Sequence, residues 1–504
     1  MRPWQDHLEP DDLVLADKRP GTPDLNGART LLRLWADRWA AAPSAPLWHG
    51  DGRWWTAGEF DEATRRAAGR LLTAGLEPGE RIVCSTDSTV DGLVAHVGAL
   101  RAGLVVVPAN TAYSAREMAH IVTDVRATAA VVGRPEQAEW VRAAGSGRIV
   151  VTGPGLELPD GDPGPIDQSS PDDPALICFT SGTTGAPKGA VLRHRNLLAG
   201  VESVIRAWRM TPEDRLVLCL PIFHAHGLVV GAYGTMTAGG SAVLLPGFAA
   251  GAVADAATRH RASLFFGVPT MYHRLVASGR ASDLAPLRLC VSGSAPLSVE
   301  LHAAASSAIG SVVLERYGMT ETLMNTSNPY IGERRAGTVG FALPGVEVAF
   351  DDTGGVLLRG PNVFDGYFER DAANGEAFRD LGDGGGRWFV TGDLGSDEDG
   401  YLVIRGRSKE LIISGGFNVY PAEVEDVLLG CPGVAEVAVT GTPSDEWGEV
   451  VTAWVVPDGV VPSLDDLRVH CAGLLAPYKQ PRSVRVVDAL PRNMLGKVVR
   501  SQLG

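Results

Sequence analysis

Short apolar runs alternate with amphipathic, helix-like stretches through the first part of the chain. A helix is predicted over Ala63–Ala74, with Gly75 as its stop signal, and the strand Arg81–Cys84 follows it. A second helix is predicted over Gly92–Ala102 and is followed by the strand Leu104–Val107. Alternation of this kind is typical of parallel strands joined by crossover helices, so this part of the chain is predicted to be α/β.

The same alternation continues after an acidic loop rich in proline and glycine, from Gly153 to Pro174. Helical patterns cover Val253–Arg259 and Met271–Ser278. The strands predicted around them are Ala175–Phe179, Arg215–Leu220, Ala242–Leu245, Leu264–Gly267 and Leu287–Val291. From about Gly345 to Ile404, short strands and turns replace the helices, which predicts a β-rich subdomain.

A separate unit is predicted after Gly406, where helices and strands alternate again over roughly 100 residues, a common domain size. Its predicted elements are the helix Pro421–Leu429, the strands Val434–Thr440 and Val450–Val456, the helix Leu464–Leu475 and the strand Val484–Val487. We therefore predict an α/β chain of two domains, a large one over residues 1–406 and a small α+β one over residues 407–504. The turn from Arg407 to Lys409 is the candidate hinge between them.

Charge and composition exclude several classes of protein. At a formal net charge of −14 over 504 residues, the chain lacks the basic surface that nucleic acids need, although a nucleotide needs only a few donors. The polar, acidic amino terminus is not a signal peptide, and the apolar stretch Gly227 to Ala257 has too many glycines for a membrane span. The six cysteines form no CxxC pair, which predicts buried free thiols. We expect a cytoplasmic enzyme without nucleic-acid or membrane partners, and both monomer and homodimer stay open.

One segment concentrates glycines, hydroxyls and a lysine directly after a predicted strand. Its sequence is Thr180-Ser181-Gly182-Thr183-Thr184-Gly185-Ala186-Pro187-Lys188-Gly189. Glycines let a backbone approach a polyphosphate with its N–H groups turned inward, hydroxyls donate further hydrogen bonds, and the lysine adds a positive charge. The spacing is not that of a Walker A loop, because Lys188 follows Pro187 and precedes Gly189. The alternative is a flexible Gly/Thr turn with an exposed lysine.

With this loop, the chain resembles the adenylate-forming superfamily of acyl-CoA synthetases, adenylation domains and luciferases, over nearly its whole length. Further motifs follow in that family's order: Tyr317-Gly318-Met319-Thr320-Glu321, Thr391-Gly392-Asp393, Gly406-Arg407-Ser408-Lys409, Pro491-Arg492-Asn493 and Gly496-Lys497. The segments from Glu315 to Ser327, from Gly267 to Arg274 and from Val291 to Ala295 are most similar to the malonyl-CoA synthetase branch. The implied reaction joins a carboxylate to the α-phosphorus of ATP, expels pyrophosphate and passes the acyl group to coenzyme A.

The resemblance implies a role for each motif. Glu321 is the expected Mg²⁺ ligand, Asp393 the acceptor of both ribose hydroxyls, and Lys497 the lysine that a mobile small domain brings to the reacting groups. The implied catalytic residues are Thr180, Lys188, Thr320, Glu321 and Lys497. The implied ATP-binding residues are Thr180, Ser181, Gly182, Thr183, Thr184, Gly185, Lys188, Gly293, Ser294, Ala295, Glu315, Tyr317, Gly318, Met319, Thr320, Asp393, Arg407 and Lys497.

The pocket for the acyl group must meet a further requirement if the substrate is a dicarboxylate. Such an acid keeps a second charge inside the pocket, and a buried charge needs a partner of opposite sign. Arg274 is implied as this partner, because arginine is always charged and holds a carboxylate through two parallel bonds; an ordinary surface arginine is the alternative. The implied acyl-binding residues are His224, Arg274, Ser294, Gly318 and Met319, and those of the hinge and the coenzyme A tunnel are Lys409, Ser414, Gly415 and Gly416.

Other activities fit parts of the same pattern. A ligase for another small, aryl or fatty acid stays open, as does an adenylating enzyme with an amine or a carrier protein in trans as acceptor. A catalytically inactive nucleotide sensor is the alternative from another class, but the presence of Lys497 and Glu321 favours an active enzyme. No carrier domain is expected on this chain, which has no LGxDS site. The choice between malonate, methylmalonate and larger 2-substituted malonates also stays open.

Overall fold

The computed structural model describes residues 25–503, except for 28, 148, 163, 181–186, 415–416, 445–446 and 494–495. The α-helices of this part of the chain are α1 Leu31–Ala41, α2 Ala57–Thr73, α3 Val90–Arg101, α4 Ala115–Asp124, α5 Pro135–Ala144, α6 His194–Ala207, α7 Gly234–Ala238, α8 Ala250–Arg259, α9 Pro269–Ala277, α10 Val299–Ile309, α11 Asp371–Ala377, α12 Pro421–Leu429 and α13 Leu464–Cys471. Other helix types occur as a π-helical segment at His226–Tyr233 and as 3-10 turns at Ala281–Leu284, Ser408–Glu410 and Arg500–Gln502.

The described residues also form the strands β1 to β26, in chain order. The first half comprises β1 Pro46–Gly50, β2 Arg53–Thr56, β3 Arg81–Ser85, β4 Val105–Pro108, β5 Ala129–Val132, β6 Val150–Thr152, β7 Pro174–Thr180, β8 Lys188–Arg193, β9 Arg215–Leu218, β10 Ser241–Leu244, β11 Leu264–Gly267, β12 Leu289–Ser292 and β13 Leu314–Met319. The second half comprises β14 Leu323–Ser327, β15 Phe341–Ala342, β16 Glu347–Phe350, β17 Gly355–Arg359, β18 Gly366–Tyr367, β19 Phe378–Asp380, β20 Arg387–Glu398, β21 Tyr401–Arg407, β22 Ile412–Ser414, β23 Phe417–Val419, β24 Val434–Ser444, β25 Gly448–Pro457 and β26 Ser483–Val486.

Two large sheets with parallel centres form most of the large domain. The first has the order β18-β8-β7-β4-β3-β5-β6, and the second has the order β15-β14-β13-β12-β11-β9-β10-β1-β2. In the first sheet β7, β4, β3, β5 and β6 are parallel, and in the second the parallel run extends from β13 to β1. Helices connect these parallel strands, as crossover connections require. The predicted α/β architecture is therefore confirmed.

A third, antiparallel sheet and the sheet of the small domain complete the fold. The third sheet has the order β16-β17-β20-β19, with β21 beside β20, and it accounts for the β-rich texture of the sequence. The small domain has the order β23-β22-β25-β24, with β26 parallel to β25. The chain leaves one sheet at Arg407 and enters the next at Ile412, on either side of the turn Ser408–Glu410. The domain bounds 1–406 and 407–504 and the hinge at Lys409 stay predictions.

Local side-chain chemistry explains where several helices begin. At α2 the Thr56 hydroxyl accepts from the Glu59 N–H at 3.2 Å, while the Glu59 carboxylate accepts from the Thr56 N–H at 2.7 Å. Ser114 and Glu117 form the same reciprocal capping pair at α4. Because these pairs satisfy N–H groups that a helix start leaves without partners, they define its first residue. The α2 helix consequently begins at Ala57, earlier than the apolar pattern alone predicted.

The apolar interior contains large aromatic side chains and all the thiols. Trp35, Trp48 and Trp208 are fully buried. The six cysteines are buried and free, as predicted. Within the described ranges, none of the helices has the length and apolar character that crossing a bilayer would need.

Two predicted elements differ in detail. The last predicted helix ends at Cys471 rather than at Leu475, because Gly473 adopts a left-handed backbone conformation with φ of 81°. The apolar stretch from Gly227 to Ala257 contains the π-helical segment at its start, ahead of the predicted strand Ala242–Leu245 and helix Val253–Arg259. A Cβ atom on Gly227 would lie 2.3 Å from the carbonyl oxygen of Pro221, so the wider turn packs directly on the preceding loop.

Candidate active site

Asp393, on β20, lies between an arginine of the neighbouring strand β21 and a tyrosine of β13, which belongs to another sheet. Its carboxylate accepts a hydrogen bond of 2.5 Å from the phenol of Tyr317 and pairs with Nε of Arg407 at 2.9 Å. The Asp393 N–H donates to the Thr391 hydroxyl, which fixes the turn that carries the carboxylate. Burial lowers the pKa of Arg407, but Asp393, Tyr317, Glu410 and Glu321 together outweigh this, and the pKa is raised overall. One connected group is therefore formed by the three residues predicted to bind the nucleoside of ATP, namely Tyr317, Asp393 and Arg407.

Glu315 presents a buried acceptor that the protein leaves unused. Its Oε1 accepts from the Leu297 N–H at 3.1 Å, while its Oε2 is buried and has no hydrogen-bond partner among the described residues. Burial raises the pKa of Glu315 to about 8. An acceptor left without a donor in a protein interior is costly, and the exocyclic amine of adenine would satisfy it. The residue fits the nucleotide-binding role that the sequence predicted.

Gly293, Ser294 and Ala295 follow the end of β12 and lie next to the end of β13. Two of these residues have unusual backbone surroundings. A Cβ atom on Gly293 would lie 2.4 Å from the guanidinium carbon of Arg316, so only glycine leaves room for that side chain. Ser294 adopts a left-handed conformation with φ of 70°. Such strain is uncommon outside glycine and concentrates at binding sites.

The turn between β13 and β14 carries the residues predicted for the phosphates and the metal. Gly318 has no space for a side chain, because a Cβ atom there would lie 2.1 Å from the carbonyl oxygen of Leu323. Met319 and Thr320 are partly buried, and Glu321 is 6% exposed. The short turn consequently holds Thr320 and Glu321 directly beyond the nucleotide-side residues of β13.

Glu321 is linked to the phosphate-loop lysine through an aromatic residue. The phenol of Tyr367 donates to Oε1 of Glu321 at 3.0 Å, and its ring centroid lies 5.4 Å from Nζ of Lys188. Burial is the main cause that raises the pKa of Glu321. Thr180 donates from its hydroxyl to the carbonyl oxygen of Lys188 at 3.5 Å across the β7–β8 pair. The remaining predicted loop residues, Ser181, Gly182, Thr183, Thr184 and Gly185, lie outside the described residues.

A divalent ion fits Glu321 only together with a phosphate ligand. A carboxylate oxygen is a suitable hard donor, and Mg²⁺ commonly takes one or two carboxylates and completes its shell with water and phosphate. No group of three or more metal-ligating side chains occurs in the part of the chain that the structure describes. The protein therefore offers one anchoring oxygen donor rather than a complete cage.

Lys497 comes from the small domain and reaches the large one. It lies in a tight turn in which the Lys497 N–H donates to Oδ1 of Asn493 at 3.0 Å. At the neighbouring Gly496, a Cβ atom would lie 2.8 Å from the hydroxyl of Thr270 at the start of α9, so the two domains touch here. Burial, followed by the charge of Arg407, lowers the pKa of Lys497. The lysine is thus held close to the nucleotide-side group and to the first turn of α9.

Arg274 lies on the exposed surface of α9. It is one helical turn beyond Thr270, and residues four apart share a helix face. It has no ion-pair partner among the described residues. The predicted acyl-site arginine is therefore a free cation on the helix that contacts the Lys497 turn.

A polar cluster lies beside the end of β12. It comprises His224, His226, Ser294 and Arg316. The His226 N–H donates to Nδ1 of His224 at 3.2 Å, and the Ser294 hydroxyl lies 3.2 Å from Nδ1 of His226. Nη2 of Arg316 lies 3.4 Å from the same hydroxyl. Burial, followed by the charge of Arg316, lowers the pKa of His224 to about 4 and that of His226 well below its ordinary value. Both histidines are consequently neutral at neutral pH.

The residues predicted for the hinge and the thiol tunnel are only partly described. Lys409 is exposed within the turn that separates the two domains' sheets. Ser414 ends β22, is 1% exposed, and has a hydroxyl without a hydrogen-bond partner among the described residues. Gly415 and Gly416 lie outside the described residues.

Sequence reasoning missed three residues that the fold brings to the site. Tyr367 lies on β18, far along the chain from Glu321, and no motif marked it. Arg316 stands within the quoted segment from Glu315 to Ser327, and His226 is two residues after His224, but the roles of Arg316 and His226 were not identified. A charged residue in the middle of a buried strand was a usable signal for Arg316, because such residues are rare without a partner.

Comparisons with known proteins identify the family to which the chain belongs. The chain matches the AMP-binding enzyme family over residues 34–368 and the AMP-binding enzyme C-terminal domain over residues 423–497. It is 34% identical over 488 residues to a feruloyl-CoA synthase of an Amycolatopsis species, covering 92% of this chain and 96% of that protein. It is 37% identical over 372 residues to a malonate–CoA ligase of Arabidopsis thaliana, covering 66% of this chain and 60% of that protein.

Among solved structures, ATP-bound MatB from Rhodopseudomonas palustris aligns with a TM-score of 0.88 at 39% identity, covering 94% of this chain and 98% of that chain. The family matches extend over both domains and include Lys188, Glu321 and Lys497, while Asp393 and Arg407 lie between the two matched ranges. The chain therefore belongs to the AMP-binding enzyme family of adenylate-forming enzymes and is an acid–CoA ligase of the AMP-forming type.

Proposed function

We propose that this ligase activates malonate, or a small 2-substituted malonate such as methylmalonate, and transfers the acyl group to coenzyme A. The products are malonyl-CoA, AMP and pyrophosphate. The observation that carries the proposal is the contact between Gly496 and Thr270, because it puts the Lys497 turn on the helix that also bears Arg274. A positive charge beside the reacting end suits an acid with a second carboxylate. The malonate–CoA ligase relative supports the same choice.

In the first half-reaction the protein acts mainly by position and charge. Asp393, Tyr317 and Glu315 orient the nucleoside, and Lys188 with Thr180 and Thr320 binds the phosphates. A divalent ion held by Glu321 and the phosphates would neutralise negative charge there. Lys497 places an ammonium between the attacking carboxylate and the α-phosphate, which lowers the electrostatic cost of bringing two anions together.

In the second half-reaction Lys497 must leave, because the thiol needs access to the adenylate carbonyl. We propose that the small domain turns at Lys409 and presents the end of β22, with Ser414, to the pantetheine arm. The buried Ser414 hydroxyl without a described partner supports this role, since a pantetheine amide would supply one.

An aryl-CoA ligase is the second candidate, because the feruloyl-CoA synthase relative matches over most of both chains. An acid panel with ATP, Mg²⁺ and coenzyme A separates the two candidates. We expect AMP release and a thioester of malonyl mass with malonate, weaker activity with acetate, and little with ferulate. Preference for ferulate over malonate would reject the malonate assignment, and AMP release without any thioester would point to another acceptor.

A further inference from the structure

Arg316 is a buried cation without an anionic partner. Its side chain leaves β13, is 3% exposed, and forms no ion pair with any carboxylate of the described residues. By contrast Arg101, which is 2% exposed, pairs with both Asp61 and Asp167. A buried charge without a partner is strongly destabilising, so proteins keep one where a ligand supplies the opposite charge.

The surroundings of Arg316 do not neutralise it. His224 and His226 are neutral for the reasons given above, and Ser294 is uncharged. Glu315 is the next residue on the strand, and successive side chains of a strand point to opposite faces. Its carboxyl group accepts from the Leu297 N–H and forms no ion pair with Arg316. The cluster therefore carries one uncompensated positive charge.

Two hydrogen-bond donors of this cluster also lack partners. The Ser294 hydroxyl accepts from Nη2 of Arg316 and can then donate to Nδ1 of His226, which places the His226 proton on Nε2. Within the described part of the chain, Nε2 of His226 and Nε of Arg316 are buried and have no acceptor. The charged guanidinium of Arg316, together with these unpaired N–H donors, is suited to bind the oxygens of an anion.

The position of the guanidinium is fixed by the backbone beside it. The guanidinium carbon and Nε of Arg316 would both lie 2.4 Å from a Cβ atom on Gly293, so the group packs flat on that glycine. Gly293 directly precedes Ser294, whose strained backbone turns the hydroxyl toward the two side chains. A rigid cation costs little conformational entropy when it binds its ligand.

We infer that Arg316 is the inner anchor of the acyl pocket and holds the second anionic group of the acid substrate, a carboxylate or a sulfonate. His226 and Ser294 complete the contact, and Arg274 contributes from the exposed side. This inference rests on the proposed activation of an acid with two anionic groups, and it assigns the selection between dianionic and monoanionic acids to one side chain.

The test compares Arg316→Met, which keeps the length and removes the charge, with Arg316→Lys and Arg274→Met. Arg142→Met serves as the control, because Arg142 is exposed on α5 and its side chain forms no hydrogen bond or ion pair with the described residues. Each protein is assayed for kcat and KM with malonate, sulfoacetate, acetate and propionate, and for AMP binding by thermal shift.

We expect Arg316→Met to lose about 100-fold in kcat/KM for malonate and sulfoacetate, mainly through KM, while acetate and propionate lose less than about threefold. Arg316→Lys should lose about tenfold, because a point charge replaces a planar fork. Arg274→Met should lose less than Arg316→Met, and Arg142→Met should match the unaltered chain. AMP binding should be unchanged in all four.

Equal losses for dianionic and monoanionic acids in Arg316→Met would overturn the inference and indicate a structural role. Selective loss in Arg274→Met alone would assign the anchor to Arg274 instead. If the unaltered protein activates monoanionic acids but no dianionic acid, the proposed function itself is wrong. If it uses malonate and Arg316→Met does so equally well, only the inference about Arg316 fails.

Discussion

The phenol of Tyr367 donates a hydrogen bond of 3.0 Å to Oε1 of Glu321, although Tyr367 lies on β18 of one sheet and Glu321 lies in the turn between β13 and β14 of the other. β18 pairs with β8 at Tyr367 and Ala190, and β8 begins at Lys188. The same ring therefore approaches both the phosphate-loop lysine and the carboxylate predicted for the metal. We conclude that Tyr367 is a positioning residue that couples these two parts of the site.

Substituting Tyr367 by Phe should lower kcat for adenylate formation about tenfold and raise the Mg²⁺ concentration needed for half-maximal rate. The hydrogen bond from Tyr367 lowers the pKa of Glu321, so its removal raises that pKa further. Glu321 must be ionised to bind a cation, and its ionised form is lost as the pH falls through the raised pKa. The acidic limb of the pH–rate profile should therefore move to higher pH.

Tyr330→Phe is a matched control, because Tyr330 packs against Arg209, Arg288 and Arg334 and makes no described contact with Glu321. It should leave the Mg²⁺ dependence and the acidic limb unchanged. An identical response of both variants would show that Tyr367 acts only through general stability.

Gly318→Ala should damage both stability and activity. The added Cβ would lie 2.1 Å from the backbone oxygen of Leu323, which cannot give way without moving the β13–β14 turn. We expect the free energy of unfolding to fall by about 1–3 kcal/mol and kcat to fall more than about tenfold, since the turn carries Thr320 and Glu321. Denaturant unfolding and AMP release measure the two effects separately.

Gly375→Ala provides the comparison for that variant. Gly375 lies in α11, and nothing approaches within 4 Å of the position of its Cβ. Alanine is favoured over glycine inside a helix by up to about 1 kcal/mol, so stability should stay equal or rise slightly. A loss as large as that of Gly318→Ala would show that the turn is not specially constrained.

Periodicity predicted the fold well because its helices and strands are regular. Ala129–Val132 is buried along its whole length and Arg81–Ser85 is buried after its first residue, so the apolar runs of these strands stand out. The start of α2 was harder to predict from the sequence, because it depends on the reciprocal capping pair of Thr56 and Glu59 rather than on the apolar face of the helix. The π-helical segment depends on close packing against Pro221, which no local pattern expresses.

Some site residues could likewise be predicted from the sequence, whereas others could be recognised only in the folded structure. Asp393 and Glu321 stand in short motifs whose spacing is visible along the chain, and the structure puts them beside Arg407 and Tyr367. Tyr367 approaches Glu321 only because the fold places β18, at the edge of one sheet, against the β13–β14 turn of the other, which sequence separation hides. Arg316 was hidden differently, because its significance lies in the absence of a carboxylate partner among the described residues, and only the packed fold shows that.

Asp393→Asn should weaken ATP binding selectively. The substitution removes the charge that pairs with Arg407 and weakens the acceptor for the ribose hydroxyls. We expect KM for ATP to rise about 10- to 100-fold while KM for malonate changes less than about threefold. Asp399→Asn, on an exposed turn of the same sheet, should change neither constant. A rise in both KM values for Asp393→Asn would instead indicate a general distortion of the site.

Lys497→Ala should abolish adenylate formation and leave the second half-reaction largely intact. The Asn493 turn and the contact of Gly496 with Thr270 position the lysine, and in the proposed mechanism it acts in the first step and the domain rotation removes it for the second. We expect at least a ~100-fold loss of pyrophosphate release from ATP and malonate, against less than a ~3-fold loss of thioester formation from preformed malonyl-adenylate. Arg485→Ala, exposed on the same domain, should affect neither step.

The pH dependence of the unaltered enzyme gives an independent check of the same lysine. Burial and the charge of Arg407 lower the pKa of Lys497, so the ammonium form is lost at a lower pH than for an ordinary lysine. Adenylate formation should therefore decline on the basic side before thioester formation from preformed adenylate does. Coincident basic limbs for the two half-reactions, or equal damage to both by Lys497→Ala, would contradict a mechanism in which the small domain moves this lysine between the steps.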